Sequence, residues 1–163
     1  MPLMLASTSR YRRELLERLR LPFHIARPEV DESPLPGEAV PAMAARLARA
    51  KAEAIAAQHP GTWIIGSDQA AELDGAPLGK PGHREAALTQ LGAMSGRRVR
   101  FHTAVCMVRD GRVLEAADVT TVRFRALALA RAVAPRAGRP RAPAHPTPPP
   151  PGARPGSPQA RQR

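Results

Sequence analysis

Aromatic residues are scarce in this chain: one Trp, one Tyr and three Phe among 163 residues. Sequence-tolerant binding of single-stranded nucleic acid relies on successive aromatic platforms, so any stacking surface here is small. Cysteine is scarcer still. Cys106 stands alone, which excludes an internal disulfide and a cysteine metal cluster, and its apolar neighbours point to a buried thiol. No apolar stretch approaches the ~20 residues of a membrane span, and no basic-then-apolar leader is present, so the expectation is a cytoplasmic chain that does not engage the membrane. His24, His59, His83 and His102 lack metal-ligand spacing and read as surface or packing histidines.

Acid is missing from the C-terminal end. All 14 Asp and Glu lie at or before Asp118, although the whole chain carries 25 Lys and Arg and a net charge of +11. Seven of those arginines follow Ala126 with no acid among them, so most of the net charge belongs to the end of the chain. From Ala126 onward the sequence is almost wholly Ala, Arg, Pro and Gly, including Pro-Thr-Pro-Pro-Pro-Pro at 146–151. No helical or strand periodicity survives there. Such a segment buries too little apolar area to offset its ordering entropy, and 128–163 is expected to be disordered or polyproline-like. It reads either as a natural basic tail touching nucleic acid or anionic surfaces, or as the product of a shifted reading frame in GC-rich DNA. The abrupt change at about 126–130 favours the second, with the true C-terminal part of the fold missing.

What is present is one domain's worth of ordinary globular sequence, with 43% hydrophobic residues. Leu3-Met4-Leu5 reads as a strand. Ser7, Thr8 and Ser9 are cap formers, and a helix follows with an apolar stripe of Tyr11, Leu15 and Leu19, Leu16 beside it. Arg10, Arg12 and Arg13 crowd a helix start that already carries about half a positive charge. Free N–H donors, hydroxyls and guanidinium groups together would seat a phosphate; a solvated basic face is the equal alternative on this stretch alone.

A strand is expected over 23–25, then an acidic loop, 28–34, in which Glu29, Asp31 and Glu32 repel one another unless a cation lies near. A long Ala-rich helix covers 38–58, with Met43, Leu47, Lys51 and Ile55 on one stripe. Lys51 there either snorkels out or aims its ammonium at a buried anion. Trp63-Ile64-Ile65-Gly66 suits a central strand ending in Ser67-Asp68-Gln69, which sets Asp68 where α/β sheets gather ligands; the alternative is a simple turn former. Asp74-Gly75 marks a hairpin between 70–73 and 76–78. Gly79-Lys80-Pro81 locks a lysine between a permissive and a rigid residue. A helix over 83–94 should turn Ala87, Leu88, Leu91 and Met94 inward, with Gly96 ending it. Two long strands, 98–108 and 113–124, should meet around Asp110-Gly111.

Several stretches occur in an order that resembles one family. Leu-Ala-Ser-Thr-Ser-x-x-Arg-Arg-x-Leu-Leu at 5–16, Val-Asp-Glu at 30–32, Ala-x-x-Lys-Ala at 48–52 and Ile-Ile-Gly-Ser-Asp-Gln at 64–69 come first. Leu-Gly-Lys-Pro at 78–81, Met-Ser-Gly at 94–96 and Val-x-Phe at 122–124 follow. Singly each is weak; the ordered set is specific. It resembles the Maf family of septum-formation inhibitors, over about 2–127. The resemblance implies a nucleoside triphosphate pyrophosphatase with an α/β fold: a mixed twisted sheet flanked by helices, related to inosine triphosphate pyrophosphatases. It divides the chain into an incomplete Maf-like domain, 1–127, and the Pro/Arg/Ala-rich tail, 128–163. Gly-Ser-Asp-Gln is similar to the branch acting on 7-methyl-GTP, whereas the dTTP/UTP branch usually has Gly-Ala-Asp-Thr. The family's usual Pro is replaced by Arg10, and its C-terminal third has no counterpart after about Leu129.

By this resemblance the products are a nucleoside monophosphate and pyrophosphate. Asp68 is the implied proton acceptor, and Glu32 with Asp68 the ligands of a divalent cation, Mg²⁺ or Mn²⁺. A carboxylate is a weak base at neutral pH, so activating water needs that cation. Ser7, Arg12, Arg13, Lys51 and Lys80 are assigned to the triphosphate, and Tyr11 and Gln69 to choice of base, Tyr11 as an aromatic facing a cationic methylated ring. Implied partners are the nucleoside triphosphate and a second copy of the chain as a homodimer. The competing expectations are a dTTP/UTP-type Maf enzyme, an inactive truncated fragment, and a nucleic-acid binder acting through the tail, which the few aromatics argue against.

Overall fold

The computed structural model describes residues 2–127; the expectations for 128–163, including the missing C-terminal part, lie outside the described residues. Strands β1 (Leu3–Ala6), β2 (His24–Ala26), β3 (Trp63–Leu73), β4 (Ala76–Leu78), β5 (Arg98–Arg109) and β6 (Arg112–Arg123) form one sheet in the order β2-β1-β3-β5-β6, with β4 beside β3. β1 runs parallel to β2 and to β3, while β4 and β5 pair antiparallel with β3, as does β6 with β5. The sheet is therefore mixed, and among the described residues three helices accompany it: α1 (Arg10–Glu17), α2 (Val40–Ala56) and α3 (Arg84–Met94). Among the described residues no helix is long and apolar enough to cross a membrane.

Local chemistry accounts for most boundaries. Ser9 caps α1, its side chain accepting from the Arg12 N–H. Pro41 opens α2, where its missing N–H is harmless. Both hairpins turn on Asp-Gly pairs with positive φ at both residues, 51° and 85° at Asp74-Gly75 and 46° and 79° at Asp110-Gly111, the twist that matches flanking strands.

Two differences from the sequence reading matter. β3 does not stop at Gly66 but continues to Leu73, so Asp68 is inside a strand rather than at its end. The parallel pairing with β1 does stop there, at Ala6 opposite Gly66. Asp68 thus borders the gap opened where β1 leaves the sheet, which is where the rule for strand carboxyl ends seeks a ligand. The second difference concerns burial. α1 has no buried residue, and in α3 Met94 is buried while Leu91 is exposed.

The main core lies between the sheet and α2. Val40, Ala44, Ala48, Ala52 and Ile55 pack on Ile64, Ala70, Ala104, Cys106 and Val108. Gly66 makes that approach possible: a Cβ there would fall on the Ala48 carbonyl oxygen and stand 2.6 Å from the Ala52 nitrogen. A smaller cluster of Leu73, Met94 and Val99 joins α3 to the opposite face.

Candidate active site

A polar cleft of about 560 Å³ opens beside the first turn of α1, lined by residues from β1, α1, the acidic loop, α2, β3 and the segment after β4, among them Ser7, Ser9, Arg12, Glu32, Lys51, Asp68, Gln69 and Lys80. Its chemistry begins at the hydroxyl run. The Ser9 N–H donates to Ser7 Oγ at 3.1 Å, and Arg12 Nη1 donates to the same oxygen at 3.3 Å. That bond turns Arg12 inward. Arg10 and Arg13 stay on the outer face, in i,i+4 ion pairs with Glu14 at 2.7 Å and Glu17 at 2.8 Å. Of the three first-turn arginines, Arg12 alone lines the cleft.

Lys51 sits at the centre. It is 6% exposed, so it does not snorkel; its Nζ lies 2.7 Å from Asp68 Oδ1 and 2.6 Å from Glu32 Oε1. The pleat explains the meeting. Gly66, Asp68 and Ala70 alternate onto the face that packs against α2, and the close approach at Gly66 brings the turn of α2 carrying Lys51 within reach of Asp68. The hydrogen bond from Lys51 holds the Glu32 carboxyl below its ordinary range, against partial burial, with the charges of Lys51, Lys80 and Arg12 adding to the effect. The acidic loop is therefore answered by cations from three separate elements.

A second pocket, about 600 Å³ and mainly apolar, adjoins the cleft and shares Ser9, Arg12 and Gln69 with it. Tyr11, Leu15, Leu16 and Leu19 form one wall, and Leu5, Ile65 and Val105 line the sheet side. Tyr11 is 75% exposed. A charged cleft joined to an apolar pocket suits a ligand with an anionic chain at one end and a flat ring at the other.

The arrangement gathers Ser7, Arg12, Lys51, Lys80, Glu32, Asp68 and Gln69 at one cleft, with Tyr11 in the adjoining pocket. Arg13 is the exception. Grouped by sequence with the phosphate-holding residues, it instead pairs with Glu17 beside Leu21, Phe23 and His24, because the helix period carries it about 100° around from Arg12. Among the described residues no group of three or more His, Cys, Asp and Glu has metal-binding geometry. The two carboxylates converge on the Lys51 ammonium; a hard divalent ion in the cleft would have Glu32 and Asp68 as its protein ligands and would complete its shell with phosphate oxygens and water.

Sequence reasoning missed two features. Glu72, 4% exposed, accepts from Arg100, from the Gly75 N–H at 3.1 Å and lies 2.6 Å from His102 Nε2. His102, read as a surface or packing histidine, is thus half of a buried polar pair, and its Nδ1 has no hydrogen-bond partner among the described residues. The period of two along β5, which sets His102 in line with Ala104 and Cys106, was the available signal. The other feature is the hydrogen bond between Gln69 and Thr103, 34 residues apart.

The fold has solved counterparts. A Ham1 protein from Staphylococcus aureus superposes with a TM-score of 0.53 at 19% identity, covering 76% of this chain and 71% of that one. A HAM1 protein from Coxiella burnetii gives 0.55 at 21%, covering 76% and 72%. These likenesses establish the architecture. Sequence relatives are much closer. A 7-methyl-GTP pyrophosphatase of Xanthomonas oryzae pv. oryzae (strain MAFF 311018) is 61% identical over 125 residues, 77% of this chain and 66% of that protein. The protein of that name from Bordetella pertussis (strain Tohama I) is 59% identical over 126 residues, 77% of this chain and 63% of the relative. The chain thus spans 66% and 63% of the lengths of these two relatives. With the Maf-like protein family model matching residues 2–134, the chain belongs to the Maf-like protein family.

Proposed function

We propose that the chain is a nucleoside triphosphate pyrophosphatase that hydrolyses 7-methyl-GTP between its α and β phosphates, yielding 7-methyl-GMP and pyrophosphate. The observation that carries this reading is Lys51 clamped between Glu32 and Asp68 in a cleft whose rim holds Ser7, Arg12 and Lys80. Taken alone, each of these is an odd cation or an odd acid; a triphosphate with its counter-cation accounts for all of them. The name carried by relatives at 59% and 61% identity supports the choice of substrate.

In this mechanism Arg12, Lys80, Ser7 and the free N–H groups opening α1 bind the phosphate chain. Lys51 holds Asp68 by Oδ1, which keeps the carboxylate in one orientation. Asp68 Oδ2, without a hydrogen bond among the described residues, takes the proton of the attacking water. A divalent cation, Mg²⁺ or Mn²⁺, held by Glu32 and Asp68 would neutralise phosphate charge and acidify water. The apolar pocket receives the base, with Tyr11 and Gln69 at its rim.

Pyrophosphate release from 7-methyl-GTP by the full chain tests the reading. The wild type should turn over, and Asp68→Asn should lose at least about 100-fold in rate with its melting temperature kept. Undiminished turnover by that variant would remove Asp68 as the base. The exposed α1 favours one other reading, a chain that binds the nucleotide without hydrolysing it; a wild type that binds 7-methyl-GTP but releases no pyrophosphate would select it.

A further inference from the structure

Gln69 and Thr103 are direct partners across β3 and β5. Gln69 Nε2 donates to Thr103 Oγ1 at 2.8 Å, and its Oε1 has no hydrogen bond among the described residues. Both residues line the apolar pocket, and Gln69 also borders the phosphate cleft. A side-chain amide is ambivalent, with a donor and an acceptor of nearly the same shape at its two ends. On an exposed strand position it would rotate and offer either end. A threonine hydroxyl can donate or accept; here it accepts from Nε2, and in that arrangement the oxygen is the end offered to a ligand.

We propose that Thr103 is a positioning residue that fixes the Gln69 amide as a hydrogen-bond acceptor toward the base. The inference rests on the nucleotide reading above and deepens it. An acceptor at that point matches the N1–H and 2-amino donors on the six-membered edge of guanine or 7-methylguanine. It opposes adenine, whose N1 presents a lone pair in the corresponding place. A site built to satisfy donors in this way discriminates strongly, because the wrong base sets an acceptor against an acceptor. The bond also spans two strands whose backbones are already paired in register, so it is made before any ligand arrives.

Equilibrium binding of 7-methyl-GMP and of AMP to the full chain, measured by calorimetry, tests this without requiring turnover. The wild type should prefer 7-methyl-GMP. Thr103→Val retains a β-branched residue in β5 and should lower the ratio of the two affinities about tenfold, the effect of one hydrogen bond. Thr103→Ser restores the hydroxyl and should recover the ratio. Melting temperatures of both variants should stay near wild type, and Thr103→Val should add nothing further in a Gln69→Ala background. An unchanged ratio in Thr103→Val, equal losses in the Val and Ser variants, or a wild-type preference for AMP overturns the inference while leaving the nucleotide reading in place. A wild type that binds neither nucleotide removes both.

Discussion

The two faces of this sheet are built from alternate residues of the same strands, yet they are covered very differently. On the α2 face, Ile64 is fully buried, Gly66 admits the helix backbone, and Asp68 meets Lys51 inside the packed layer. On the other face α3 closes one end around Leu73, Met94 and Val99, while the end beside β1 is left to α1, which buries none of its residues. Tyr11, Leu15 and Leu19 are 75%, 58% and 62% exposed there. The contrast shows that amphipathic pattern alone does not decide burial. α2 has small residues, Ala48 and Ala52, where it crosses Gly66, so its axis comes close and its stripe is sealed. α1 is eight residues long and offers a stripe of large side chains bordering a 600 Å³ pocket. An apolar concavity beside a charged cleft is what a ligand site needs.

The largest effects should come from the sealed face. Gly66→Ala places a methyl group against the α2 backbone and should cost about 3 kcal/mol, at the upper end of overpacking, read as a lower denaturation midpoint at unchanged slope. Next, neighbouring isoleucines give a direct comparison. Ile64→Ala should cost about 3 kcal/mol, and Ile65→Ala, on the open side, about 1 kcal/mol. Equal losses would break the distinction between the faces.

A pH experiment sharpens it further. Burial opposes ionisation of Glu72, but hydrogen bonds from His102 and Arg100 outweigh it and hold the carboxyl below its usual value of 4.5. A carboxyl depressed in the folded state stabilises fully above its unfolded value and loses that contribution as pH falls through the lower folded one. Melting temperature should therefore drop more steeply below about pH 4.5 in wild type than in Glu72→Gln. Parallel curves would remove the buried pair as a source of acid sensitivity. The smallest effect belongs to the open face. Leu15→Ser should change stability by about 0.5 kcal/mol or less while weakening the binding of a hydrophobic dye.

Much of this was legible in the sequence because it depends on near neighbours. Asp-Gly turns, the Ser9 cap and the period of α2 are local, and their boundaries fall within a few residues of expectation. Motif order carried the family and, with it, most of the cleft. Arg13 lies outside the cleft because motif membership says nothing about azimuth, and an i,i+4 glutamate pairs with it on the outer face. His102 and Thr103 were passed over because their partners, Glu72 and Gln69, lie 30 and 34 residues away.

By itself the sequence determined which segments become strands and helices, where the chain turns, and which acids and bases are available, since propensity, capping and pleat period act over a few residues. Tertiary structure alone decided which of those charges meet. Lys51 finds Asp68 because a missing Cβ at Gly66 lets two backbones nearly touch, and that distance is a property of the packed layers.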